Sequence, residues 1–161
     1  MRKCLAILLA AAIISTPLSV RASPAIPEDI RAYAEEEGAK NCICPETLEA
    51  TMFYESSFDP TATNKTGTCK GLMQINESIH RELMAKLGVT DIYDPHGNIK
   101  VGAALLADLC EESDGDICEA LMRYNGAPQS QIDEYHRTGK CSRYAEKILK
   151  LSEVYERMHG K

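Results

Sequence analysis

The sequence predicts an all-α domain, with at most a minimal β-hairpin over residues 59–70. Three observations predict it. Apolar residues recur at helical steps of three and four through most of the chain, and proline and glycine stand where such stretches should open and close. No stretch alternates apolar and polar residues for long enough to make a convincing strand, and no internal repeat or low-complexity segment interrupts the pattern.

The first 22 residues have a separate character. Arg2 and Lys3 precede an apolar run from Leu5 to Ile14, too short to span a bilayer, and Val20-Arg21-Ala22 offers a small-residue cleavage site. This pattern predicts a signal peptide over 1–22, cleaved after Ala22, with one domain over 23–161. The expected location is secreted, periplasmic or cell-envelope, with no stable membrane insertion. Removing 1–22 takes away three of the 18 basic residues and none of the 24 acidic ones, leaving a net charge of −9. Such a balance argues against nucleic acid as the main partner, because phosphate binding needs a basic footprint.

In the remaining chain Pro27 suits the opening of a first helix, in which Ile30, Tyr33 and Ala34 give the spacing up to a stop at Gly38. Pro45 opens a second helix ending near Ser56 or Ser57, ahead of Pro60. Residues 59–70 are polar and turn-rich. Leu72, Ile75, Ile79, Leu83 and Leu87 then predict one long helix from Gly71 to a cap at Gly88. Another begins at Pro95 or Asn98, and Gly102 inside it suggests a close helix–helix contact, since glycine there costs about 1 kcal/mol relative to alanine. Asp116 and Glu119 form a plausible capping box. A short piece covers 130–137, and Tyr144, Ile148, Leu151, Tyr155 and Met158 mark the last helix.

Six cysteines follow residue 22: Cys42, Cys44, Cys69, Cys110, Cys118 and Cys141. An even number in an exported chain predicts three disulfides. Their connectivity is open, with Cys110–Cys118 the first choice because the two bracket a short polar loop. No metal site is expected: Cys42-Ile43-Cys44 has no matching second pair, and the four histidines are scattered.

Leu48, Met52 and Glu55 lie on one face of the second helix. An acid on the line of two large apolar residues loses water, which favours its neutral, proton-donating form. Spacing alone leaves an ordinary helix-end glutamate as the commoner alternative. Five blocks tip the balance. Glu55-Ser56-Ser57-Phe58-Asp59-Pro60-Thr61-Ala62, Gly71-Leu72-Met73-Gln74-Ile75, Asp94-Pro95 with Asn98-Ile99 and Gly102, Ala120-Leu121-Met122-Arg123-Tyr124-Asn125, and a late Tyr144 occur in order between about 45 and 150. Together they resemble the catalytic domain of soluble lytic transglycosylases, a peptidoglycan-cleaving family with a lysozyme-like fold.

The resemblance implies cleavage of the β-1,4 bond between N-acetylmuramic acid and N-acetylglucosamine, leaving 1,6-anhydro ends. Glu55 would be the sole catalytic acid/base. Gln74, Tyr124 and Asn125 would line the sugar cleft, Tyr144 would close it, Met73 would support its wall, and Asn64 would occupy a substrate-contacting loop. The implied partner is the glycan strand, met by a monomer without metal or organic cofactor. A goose-type lysozyme-like hydrolase and a non-catalytic glycan-binding module are the alternatives. The residues also allow plainer roles: Met73 and Tyr144 fit core packing, and Gln74 fits structural bonding. Departures are Gly126-Ala127 where the family has Ala-Gly, an extra Lys70 before Gly71, Cys69, and the lack of tryptophan.

Overall fold

The computed structural model describes residues 25–161; the expected signal peptide lies outside them. Its elements are α1 (Glu28–Asn41), α2 (Pro45–Ser56), β1 (Cys69–Lys70), β2 (Ile75–Asn76), α3 (Arg81–Leu87), α4 (Pro95–Glu112), α5 (Ile117–Tyr124), α6 (Gln129–Thr138) and α7 (Arg143–Met158). The all-α expectation holds, with one two-stranded antiparallel sheet pairing Cys69 with Asn76 and Lys70 with Ile75. An isolated bridge joins Thr63 to Lys70.

Helix α2 is the axis of the molecule. Seven successive residues, Glu46 to Met52, are buried on every face, as a helix must be when neighbours surround it. It packs along α1 and α7. Inside this packing Thr47 and Ser152 share a hydrogen bond of 3.1 Å, and Thr51 Oγ1 donates to the Thr47 carbonyl, so three buried hydroxyls are satisfied. Leu48, Met52, Leu72, Ile99, Leu121 and Ile148 are among the fully buried side chains of the core around it.

Three expectations need correction. Gly38 does not end α1. The helix runs on to Asn41, and Cys42 takes the left-handed conformation (φ 55°) that closes it. Gly38 is small because the chain returns over it: a Cβ there would come within 2.7 Å of the Ile43 carbonyl.

The long helix from Gly71 does not form, and only Arg81–Leu87 is helical. Gly71 (φ 76°) and Gln74 (φ 49°) are both left-handed, and the Gly71 amide is spent on the Ala62 carbonyl. The apparent stripe crosses a hairpin, which leaves Ile79 71% exposed.

The close contact at Gly102 is not between helices. Met73, in the turn between β1 and β2, lies so tightly over Gly102 that a Cβ would strike its sulfur.

What holds this turn is Asn98, a fully buried residue of α4. Its Nδ2 donates to the carbonyls of Lys70 (3.0 Å) and Ile92 (2.8 Å), and its Oδ1 accepts from the Met73 amide (2.7 Å). Replacing it takes a buried side-chain partner from three backbone groups. Asn98→Ala should therefore cost about 3 kcal/mol, read as a lowered urea midpoint; an unchanged midpoint would remove Asn98 from this role.

Candidate active site

Helix α2 ends one turn after its buried run, and that last turn carries Glu55. The break is abrupt: Ser57 (φ 55°) and Phe58 (φ 64°) are successive left-handed residues, a conformation that costs a non-glycine residue roughly 1–2 kcal/mol. Ser57 N–H closes the helix on the Phe53 carbonyl, and Ser56 Oγ donates back to the Met52 carbonyl. Asp59 turns the chain, accepting from the Thr61 amide and hydroxyl at 2.8 Å each. Those bonds hold the exposed Asp59 carboxyl below its ordinary range.

Glu55 faces a cavity of about 220 Å³ lined by Glu55, Asn64, Cys69, Gln74, Tyr124 and Asn125. Burial pushes the Glu55 carboxyl above its ordinary pKa; the hydroxyl of Tyr144, donating to Oε1, opposes the shift only in part. An acid in this state retains its proton to higher pH than an exposed one. Burial and the neighbouring Glu55 raise Tyr144 and Tyr124 well above the usual phenol range, so both remain donors. Tyr144 is placed by the first turn of α7, whose cap, Ser142, accepts from the Ala145 amide at 3.2 Å.

Each remaining residue has its own station. Gln74 donates from Nε2 to the carbonyls of Ala62 (3.2 Å) and Gly71 (3.0 Å), which orients its amide and leaves Oε1 as the polar atom for the cavity. Its positive φ is the kind of local strain that collects at functional sites. Tyr124, on the last turn of α5, donates its hydroxyl to the Met73 carbonyl at 2.8 Å and lines the cavity. Asn125, exposed, caps the same helix. Asn64 lines the cavity while binding its own loop: Oδ1 accepts from the amides of Thr68 (2.9 Å) and Cys69 (3.2 Å). Met73 is the exception. It is fully buried against Gly102, so it shapes the wall from behind and offers no surface to a ligand.

Two residues escaped the sequence reading. Asn98 was visible only as part of a block, because its bonds reach Lys70 and Met73, more than twenty residues away. Cys69, expected in a disulfide, is a free thiol on the cavity wall. The disulfide expectations are corrected likewise. Cys118 joins Cys141, not Cys110, across a Cα separation of 6.2 Å, and among the described residues Cys42, Cys44, Cys69 and Cys110 are free. The left-handed Asp114 and Gly115 wind the α4–α5 loop so that Cys110 faces the end of α1, lining a cavity with Cys42.

Within the cavity lining Glu55 is the one carboxylate, and no group of metal-ligating side chains meets there. The arrangement can deliver a proton to a ligand atom and take one back.

Comparison with known proteins places these features in context. The family model described as the transglycosylase SLT domain matches residues 32–146. A transglycosylase of Enterobacteria phage PRD1 is 33% identical over 106 residues, 66% of this chain and 36% of the relative. The membrane-bound lytic murein transglycosylase F of Desulfosudis oleivorans is 44% identical over 62 residues, 38% of this chain and 13% of the relative. The chain thus spans well under half the length of these relatives. Among solved structures, an inactive mutant of lytic transglycosylase Slt from Pseudomonas aeruginosa superposes with a TM-score of 0.68 at 20% identity, over 81% of this chain and 24% of that one; the likeness is one of fold.

Proposed function

Because the chain belongs to the transglycosylase SLT domain family, we propose that it is a lytic transglycosylase that cuts the MurNAc-β-1,4-GlcNAc bond of peptidoglycan and leaves 1,6-anhydro ends. The observation that carries this reading is Glu55, a single carboxyl on the wall of the cavity whose pKa burial raises and which Tyr144 grips.

Protonated Glu55 gives its proton to the glycosidic oxygen as the C1–O bond breaks, releasing the leaving sugar as an alcohol. The substrate's own acetamido oxygen meets the positive charge developing at C1. Glu55, now ionised, removes the proton of the muramic acid 6-hydroxyl, whose oxygen bonds to C1, and the acid is restored. This cycle needs one carboxyl. Asp59, the acid four residues on, is committed to Thr61 beyond the helix break. That supports the one-acid route over a mechanism with a second carboxylate. No cofactor enters it.

The strand is met outside the cytoplasm, in keeping with the export pattern of residues 1–22. No helix among the described residues is long and apolar enough to cross a membrane.

Weighing the products of purified peptidoglycan tests the reaction. The fragments should be lighter by one water than those of a hydrolase, with no reducible ends. Reducible muramic acid ends would replace the internal 6-hydroxyl with water and make the protein a lysozyme-like hydrolase.

A further inference from the structure

The helix pair that brings Tyr144 to Glu55 continues outward into a group of cations that the proposed chemistry does not use. Between 137 and 150 the chain carries Arg137, Lys140, Arg143, Lys147 and Lys150 against the single acid Glu146, although its net charge as a whole is −6. Arg137 and Lys150 have loose local partners, Glu134 at 3.9 Å and Glu146 at 3.8 Å, whereas Lys140, Arg143 and Lys147 enter no ion pair among the described residues. Arg143 is moreover the first residue of α7, at the positive end of the helix dipole, where a basic side chain is disfavoured. Glu146, the acid of that turn, reaches for Lys150 instead. The fold gains nothing from these charges.

Their position borders the acid. Lys147 holds its Nζ 5.8 Å from the centre of the Tyr54 ring, and Tyr54, 40% exposed, immediately precedes Glu55 in the chain. Around the axis of α7 the exposed Arg143 and Lys147 lie about 40° apart, with Tyr144 about 60° beyond Lys147. The cationic stripe therefore adjoins the side of α7 that grips Glu55. Arg143 also lines a cavity of about 380 Å³ with Lys140, Ser142 and Gln131. Glu134 is the one acid of that lining, and its partner is Arg137. The Cys118–Cys141 disulfide fastens the segment bearing Lys140 and Arg143 to α5, the helix of Tyr124.

We propose that Arg143 and Lys147, with Lys140 in the adjoining cavity, form a subsite for the acidic stem peptide that peptidoglycan carries on the lactyl group of muramic acid. The inference rests on the reading of Glu55 as the acid that acts beside that sugar. A muramic acid with its C1 at Glu55 brings its peptide to the same rim, and four extended residues span about 13 Å, about two turns of α7. The peptide carboxylates then meet guanidinium and ammonium groups that have no partner of their own. In a chain of negative net charge, this patch is where an anionic strand can approach. The subsite selects strands that keep their peptide carboxylates over strands that have lost them.

Binding, not cleavage, is the readout. Glu55→Gln protein is titrated with soluble peptidoglycan strands bearing intact stem peptides, and with the same strands after their peptide carboxylates are converted to amides. Intact strands should bind about tenfold more tightly at low salt, as two exposed charge contacts would give, and the advantage should shrink at high salt. Adding Arg143→Ala and Lys147→Ala should remove it. Arg81→Ala with Lys86→Ala, the same loss of charge on α3, should keep it. Equal or undetectable binding of the two strands, an advantage that survives loss of Arg143 and Lys147, or one that disappears equally with Arg81 and Lys86 would each overturn the subsite. No turnover is required, so this result and the product analysis that tests Glu55 can fail separately.

Discussion

Glu55→Gln should abolish glycan cleavage while leaving strand binding largely intact. Loss of general acid–base assistance costs about 10²–10⁴ in rate, and in a one-acid mechanism both proton transfers fail together, so the effect should lie at the upper end. Glutamine keeps the size of the side chain and still accepts from Tyr144. The same substitution should raise stability at neutral pH. Burial raises the carboxyl pKa in the native state, so the unfolded chain releases that proton at lower pH. Native stability supplied by Glu55 is then full below the unfolded-state pKa and falls as pH rises through the native one. The amide has no such loss. Turnover and melting temperature measured on one preparation check both halves, and unchanged turnover would remove Glu55 from the chemistry.

Tyr144→Phe should reduce turnover by about 10- to 100-fold, the equivalent of about 1.5–3 kcal/mol for a hydrogen bond to a charged group. Its more telling effect is on pH dependence. The Tyr144 hydroxyl favours ionised Glu55 and holds its pKa down against burial. Without it the acid retains its proton to higher pH, so the alkaline limb of kcat/KM should move upward even as the maximum rate falls. A tyrosine that only packed the last helix would lower activity, if at all, without moving that limb. A pH–rate profile of the two proteins separates these roles.

Much of the site was legible because its residues sit in short, ordered blocks. Glu55 was readable as an acid on a helix line shared with Leu48 and Met52, and Tyr144 from its late position. Gln74 lies on the cavity wall, but the spacing put it on a helix that does not exist. Periodicity sees only spacing. It could not register that two left-handed residues and the side chain of Asn98 draw the backbone at 71–74 into a hairpin. Met73 packs behind the wall, and its neighbour across the fold, Gly102, decides which way it turns.

By itself the sequence determined the helical class, the five blocks in order, the acid at the end of α2, and the excess of negative charge, because each depends on local spacing or on composition. Only the tertiary structure decided which cysteines meet and which residue holds the 71–74 turn. Those outcomes depend on distances between segments far apart in the chain, which packing around α2 sets and no local pattern encodes.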